Sequence, residues 1–248
     1  TVTSNGITVL VIEDRKLPLV TARFVFKQGS YWDTRFGNNK SGLGSITAEM
    51  LTKGTSERSA TMIADQTDFL GATLSTGADY DASYVSCYSL TKHFDEIFSL
   101  AADVIRNPKF AVDELQRVRE QRLNSLLSMI DDGDYLASRS YRQAVYKNNP
   151  FSFSVEGNNE SVASIDVSDL RKFYEFAFAP ENLIVAFVGD ISPEEAVSKL
   201  ESEFAGWQSL SQNMDIPSVP GMNSSGVILT RKIGAVQSSL RIGHVCIN

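Results

Sequence analysis

The sequence predicts an α+β fold, in which helices pack on one face of a mixed, mainly antiparallel sheet. Runs rich in β-branched and aromatic residues at positions 7–14, 19–26 and 82–90 predict strands. Apolar residues at helical spacing between positions 94 and 105, and from 112 to 130, predict two long helices. These elements favour two layers, one of strands and one of helices.

Shorter elements complete the first half of the chain. A turn at positions 15–18 joins the two N-terminal strands, and a polar loop follows them. A helix over about residues 61–70 ends at Gly71, a typical C-terminal stop. Residues 72–76 then predict a strand that forms a hairpin with the strand at 82–90.

The second half contains further helices and one apolar strand. Residues 135–146 predict a helix, Ser168 is expected to cap the next one, and the apolar run 183–188 predicts a strand. Ser192 is followed by a proline and, three residues later, by Glu195, which predicts a capping box with proline at the first helical position.

The composition changes near the C-terminus. Residues 209–225 are rich in Ser, Asn, Pro and Gly with little apolar periodicity, which predicts a linker. After it, residues 226–242 repeat, at low identity, the strand-turn-strand plan of residues 6–25.

Composition narrows the class of partner. The formal net charge of -7 disfavours a nucleic-acid or anionic-membrane surface, so we expect a protein or peptide partner. The sequence contains no apolar run of transmembrane length and no recognisable leader. The compartment stays open: a first residue of Thr is compatible with a leader already removed, and we would expect export to the periplasm if the source is bacterial.

Other catalytic and metal patterns are absent from the sequence. Cys87 and Cys246 lie far apart and make no disulfide framework. The acidic run at 131–134 lacks the spacing of an EF-hand and is better explained as an interhelical turn, and no Gly-x-Ser-x-Gly elbow occurs. His93 and His244 are expected to be surface or interface residues.

Residues 42–55 read Gly-Leu-Gly-Ser-Ile-Thr-Ala-Glu-Met-Leu-Thr-Lys-Gly-Thr. This segment resembles the zinc-site segment of the pitrilysin, insulinase and mitochondrial-processing-peptidase family, which reads Gly-Leu-x-His-x-x-Glu-His-Met-Leu-x-Lys-Gly-Thr. Residues 173–190 are also similar to a Tyr-x-x-Pro-x-Asn-(apolar)-Gly-Asp passage of that family. The first match preserves a set of positions, which we call the motif frame: Gly42, Leu43, Met50, Leu51, Lys53, Gly54 and Thr55.

The chemistry of that motif is lost. In His-x-x-Glu-His, two imidazoles one helical turn apart bind zinc, and the Glu between them activates the metal-bound water. The corresponding residues here are Ser45, Ala48 and Glu49, which offer a single carboxylate. They supply neither three ligands nor a general base.

The family's third ligand, a Glu on a later helix, is lost as well. The resemblance places Ser125 at its position and Val118 at the position of its usual acidic neighbour. The alignment depends on Phe110, Asp113, Glu114, Leu115 and Arg117. Four coordinated losses inside a preserved frame indicate a subunit that keeps the fold without the metal.

The resemblance implies two homologous α/β domains, so we expect a first domain over residues 1–208 and the first hairpin of a truncated second domain over 226–248. It implies a non-catalytic subunit that closes the chamber and binds extended peptide, in a heterodimer with an intact zinc-peptidase homologue that alone carries zinc. The peptide-binding edge strand would consist of Ala72, Thr73, Leu74, Ser75 and Thr76.

Two other interpretations stay open to test. A structural scaffold could keep the fold with no proteolytic role, as the core subunits of a respiratory complex do. An active metalloprotease is disfavoured by the residues at the motif.

Overall fold

The computed structural model describes residues 2–3, 6–37, 39–147, 149–208 and 226–244. Its sheet has the strand order β1-β5-β2-β4-β3, in which only β1 and β5 run parallel. The predicted mixed, mainly antiparallel sheet is therefore confirmed. The strands are β1 (Thr8–Glu13), β2 (Leu19–Phe26), β3 (Thr73–Ala78), β4 (Ser83–Leu90) and β5 (Leu183–Gly189).

The two N-terminal strands are joined by a turn, as predicted, but they are not hydrogen-bonded to each other. β5 lies between them, parallel to β1 and antiparallel to β2. The inward side chains of β5, Leu183, Val185 and Phe187, are buried, as expected for an apolar run in the middle of a sheet. The late strand thus ties the start of the chain to the rest of the domain.

The described helices pack on one face of this sheet. Phe94 and Phe98 of the helix after β4 contact the central strands, and the Phe98 ring lies 5.5 Å from Phe24 and 5.6 Å from Phe187. The other face is open, since Leu10 and Ile12 are 54% and 65% exposed. The helices are α1 (Leu43–Met50), α2 (Ala60–Phe69), α3 (Phe94–Arg106), α4 (Val112–Met129), α5 (Gly133–Tyr146), α6 (Asn159–Ser164), α7 (Val167–Ala177) and α8 (Pro193–Glu203).

Helix starts agree with the sequence except around α6 and α7. The Ser192 capping box of α8 is confirmed. Helix α7 is capped by Asp166 and not by Ser168, because the Asp166 carboxylate accepts the N–H of Asp169 at the helix start. Helix α6 was not predicted, since six residues are too few to show a helical period.

The expected hairpin at residues 226–242 is not formed. The described residues 226–244 contain no strand and are largely exposed, although Arg241 reaches Asp134 at 3.3 Å and Thr230 bonds Ser140 at 2.7 Å. A lone hairpin with no sheet to cover buries too little apolar surface to be stable. The domain assignment itself stays a prediction, and the expected linker at 209–225 and Cys246 lie outside the described residues.

None of the helices in the described ranges is long and apolar enough to cross a membrane.

The start of α1 is fixed by a buried carboxylate. Asp33, 1% exposed, accepts the N–H groups of Gly42 at 2.7 Å and Gly44 at 2.8 Å. Gly42 has a φ of 95°, in the left-handed region that favours glycine. A Cβ on Gly44 would lie 2.8 Å from Cζ of Phe173 and 3.1 Å from the Asp33 carboxylate. The start of α1 therefore favours glycine at both positions, at Gly42 for its backbone conformation and at Gly44 for lack of space.

We predict that Gly44→Ala lowers the free energy of unfolding by about 1–3 kcal/mol, because the added methyl group overpacks the Phe173 contact. This steric cost should outweigh the gain in helix propensity of about 1 kcal/mol. Gly226→Ala is the matched control, since a Cβ there meets nothing within 4 Å and should leave stability unchanged. Chemical denaturation of both variants measures the difference, and an unchanged Gly44→Ala midpoint would contradict it.

Candidate functional site

The motif positions Ser45, Ala48 and Glu49 lie on α1. Ala48 is completely buried in the hydrophobic core, and Ser45 is only 7% exposed. Glu49, one turn after Ser45, has a side chain that is 32% exposed. Residues four apart on a helix share a face, so Ser45 and Glu49 point in the same direction while Ala48 points into the core.

Arg122 of α4 crosses to that face of α1. Its Nη1 donates to Oγ of Ser45 at 3.0 Å, and its Nη2 donates to Oε2 of Glu49 at 2.7 Å. The Arg122 side chain is only 17% exposed. We call this pair of contacts the Arg122 bridge. It joins two helices through an ion pair with Glu49 and a charge-assisted hydrogen bond to the Ser45 hydroxyl.

Ser125 does not take part in this bridge. It lies three residues after Arg122 on α4 and is exposed, so the contacts of Arg122 link two of the four predicted positions, Ser45 and Glu49. Sequence reasoning missed Arg122. The available signal was its position one turn before Ser125 and four residues after Val118, on the face of the helix that the family resemblance had already marked.

The residues at this site do not fit a zinc ion. Catalytic zinc needs three protein ligands from His, Cys, Asp or Glu, with a position left for water. Glu49 is the only such residue among the motif positions, and its carboxylate is paired with a guanidinium. Across the residues that the structure describes, no group of three or more such side chains could hold a metal.

Strand β3 forms one edge of the described sheet. Thr73, Leu74, Ser75 and Thr76 lie in it, whereas Ala72 precedes it and donates its N–H to Thr67 O. This places four of the five predicted residues on an edge strand. Peptide binding at this strand stays a prediction.

The hydrogen-bond register tells which groups of β3 are open. Bonded and non-bonded residue pairs alternate in an antiparallel ladder. Asp79 donates its N–H to Ala82 O across the turn, and the β3–β4 register continues from that pair without a bulge. The residues whose N–H and C=O groups face away from β4 are therefore Leu74, Thr76 and Ala78. Helix α1 packs beside this strand.

The cysteine, the acidic run and the histidines that the sequence singled out are part of the core, a helix cap or the surface. Cys87 is buried, and burial raises the pKa of its thiol to about 12, so it is not a reactive thiolate at neutral pH. Asp132 caps α5 by accepting the N–H of Asp134, which confirms that the acidic run is an interhelical turn. His93 lies beside the exposed Glu96 at 3.7 Å, and His244 is exposed.

Two family models match the chain. The model described as insulinase, peptidase family M16, matches residues 8–158, and the model described as peptidase M16 inactive domain matches residues 164–243.

Relatives of known name are distant but cover most of the chain. A non-peptidase homolog YmxG from Helicobacter pylori is 24% identical over 79% of this chain and 45% of its own length. Cytochrome b-c1 complex subunit 1, mitochondrial, from Caenorhabditis elegans is 25% identical over 91% of this chain and 47% of its own. The chain thus spans about half the length of these relatives.

Solved structures share the fold. A peptidase M16 inactive domain from Pseudomonas fluorescens superposes with a TM-score of 0.82 at 27% identity, covering 89% of this chain and 53% of that one. The first half of the periplasmic protease PqqL from Escherichia coli gives a TM-score of 0.80 at 16% identity, covering 90% and 49%. The predicted fold class is confirmed.

We predict that the Arg122 bridge contributes to stability through a measurable coupling. In a double-mutant cycle with Arg122→Ala and Glu49→Ala, the coupling free energy should be about 1–2 kcal/mol, because the pair is partly shielded from water. The matched control is Arg117 with Glu114, a pair within α4 at 2.9 Å whose arginine is 69% exposed, and its coupling should be smaller. Equal couplings in urea denaturation would show that the bridge is an ordinary surface contact.

Proposed function

Because the chain belongs to the insulinase family of M16 peptidases, we propose that it is a non-catalytic member that works beside an intact homologue. In this proposal the partner carries zinc and hydrolyses the substrate, while this chain binds extended peptide and helps to close the chamber. The observation that carries the proposal is the Arg122 bridge, in which a guanidinium contacts the positions that hold zinc ligands in the family motif.

This chain alone lacks the groups that metal-assisted hydrolysis requires. A metallopeptidase needs a Lewis acid to generate the nucleophilic water and a base to take its proton. Ala48, at the position of the base, has no ionisable group, and the Glu49 carboxylate already accepts a hydrogen bond from Arg122. The name of the Helicobacter pylori relative, a non-peptidase homolog, supports the same conclusion.

Peptide capture rests on the edge strand. Leu74, Thr76 and Ala78 present outward N–H and C=O groups to which an extended peptide can add as a further strand. Main-chain pairing of this kind depends little on sequence, which suits a subunit that receives varied segments. Because α1 lies beside β3, a peptide held there would run close to the degenerate motif.

The second candidate function is a structural scaffold. The Caenorhabditis elegans relative is named as a subunit of a cytochrome b-c1 complex, which favours a role in assembly without peptide binding. A scaffold needs the fold but not an accessible edge. The two functions therefore differ in whether the outward groups of β3 matter.

We predict that Leu74→Pro weakens peptide binding about tenfold, because proline removes one outward N–H donor and its ring obstructs the open edge. The ladder to β4 should stay intact, since that N–H points away from β4. Leu74→Ala is the control: it removes the same side chain and keeps the N–H. Fluorescence anisotropy with a labelled random-sequence decapeptide mixture measures binding, and melting temperature reports folding. Equal binding by the two variants would exclude the edge.

We further predict that a homologue from the same genome with an intact His-x-x-Glu-His motif hydrolyses peptide faster when this chain is added. The increase should be smaller with Leu74→Pro than with Leu74→Ala, because only the first blocks the edge. Co-purification of the two chains and a fluorogenic peptide assay measure this. If the rate is the same with the chain, without it and with either variant, the scaffold function replaces the partner-subunit function.

A further inference from the structure

The Arg122 guanidinium lies against two positions that hold zinc ligands in the family motif. We propose that the Arg122 guanidinium is a built-in cation that fills the metal position and excludes a metal ion, so that restoring the ligand residues alone does not restore the site. This inference concerns the contact between α1 and α4 and holds whether or not the chain captures peptides.

The position of the guanidinium supports this role. Ser45 and Glu49 are one turn apart, where the family motif carries its two imidazoles, and the side-chain oxygens of both accept hydrogen bonds from a residue of α4. Arg122 contacts both, at 3.0 Å and 2.7 Å, through two different nitrogens. A group that bonds to both positions at once occupies the space that an ion bound to both would need.

The charge of the group makes the exclusion permanent. Arginine stays protonated at any physiological pH, so its positive charge cannot be removed to admit another cation. A divalent ion brought to the same face would be repelled by this charge and would compete with it for the Glu49 carboxylate. A lysine or histidine in this place could be neutralised, whereas an arginine cannot.

The surroundings limit the movement of Arg122. Its side chain is 17% exposed, and the helix on each side of it is anchored. One turn before it, Val118 is buried in the core, and Arg119 donates to Ile165 O at 2.7 Å. One turn after it, Leu126 is buried. The guanidinium therefore has little freedom to leave while the helix stays in place.

The decisive experiment restores ligands with and without Arg122. The triple variant Ser45→His, Glu49→His and Ser125→Glu supplies the family's three ligand types. It leaves Ala48 unchanged, because a carboxylate at that fully buried position would disturb the core. The two substitutions on α1 remove the partners that Arg122 bonds in the native chain, but its positive charge stays beside the site and pairs with the new carboxylate three residues later. We therefore expect this triple variant to bind zinc weakly.

Adding Arg122→Ala should then raise zinc affinity at least about 100-fold, because it removes both the charge and the volume. Adding Arg117→Ala instead is the matched control and should leave the affinity of the triple variant unchanged, since Arg117 pairs with Glu114 on the exposed side of α4. Competition with a chromogenic chelator gives the zinc affinity, and circular dichroism confirms the fold. Equal affinities with and without Arg122, in folded protein, would overturn the proposal.

A second measurement does not depend on the new ligands. In Arg122→Ala alone, methylguanidinium at about 20 mM should raise the melting temperature, because a free cation of the same shape can re-enter the space and binds only the folded state. The native chain and Arg117→Ala should show no such increase. If methylguanidinium acts equally on all three, the space is not a cation position and the proposal fails. Neither result depends on peptide binding at β3, so failure here is separable from failure of the proposed function.

Discussion

The described domain depends on how α1 is held at its N-terminus. Asp33 is buried, and burial raises the pKa of its carboxyl well above the usual range, while the N–H groups of Gly44, Gly42 and Leu43 oppose that rise by bonding to it. A buried carboxyl is acceptable only when its oxygens are bonded, and a helix N-terminus offers unpaired N–H donors in one direction. The same contact fixes the position of α1 against α7 through Phe173, which lies against Gly44.

This constraint explains why the motif frame persists while the chemistry is gone. Leu43, Met50 and Leu51 are completely buried, and Gly54 has a φ of 127° that a side chain would strain. These residues are needed for packing whether or not a metal is bound. Glu49 projects toward the Arg122 bridge and away from the core, so its identity is set by chemistry at the helix surface. A preserved frame is therefore evidence for the fold and not for activity.

Local patterns predicted most of the elements, and nonlocal contacts account for what was missed. The hairpin of β3 and β4, the apolar run of β5 and the Ser192 cap depend on neighbouring residues, which a sequence displays directly. The insertion of β5 between β1 and β2 depends on pairing across more than 150 residues. Asp33 and Arg122 likewise bond residues elsewhere in the chain, and Arg122 is marked only by its helical spacing from Val118 and Ser125.

The cap of α7, Asp166 and not Ser168, likewise depends on contacts that the local sequence does not display. Both residues favour a helix start, and the deciding feature is the reciprocal contact in which Asp169 bonds the Asp166 N–H. Asp169 also pairs with Lys40 at 2.7 Å, a partner from the loop before α1. The start of α7 is thus selected by a contact with the segment that leads into the motif helix.

A guanidinium in place of a metal changes what the site can do with a peptide. It supplies hydrogen-bond donors and a positive charge, but it cannot coordinate water and convert it to hydroxide as zinc does. In the proposed function, a chain that carries the Arg122 bridge beside an open edge strand would hold an extended peptide and leave its cleavage to the partner. The edge groups of β3 come from backbone geometry alone, so loss of the metal ligands on α1 leaves them unchanged. In the proposed function, binding and hydrolysis would therefore be divided between two homologous subunits, because the edge strand and the metal ligands are independent features of the fold.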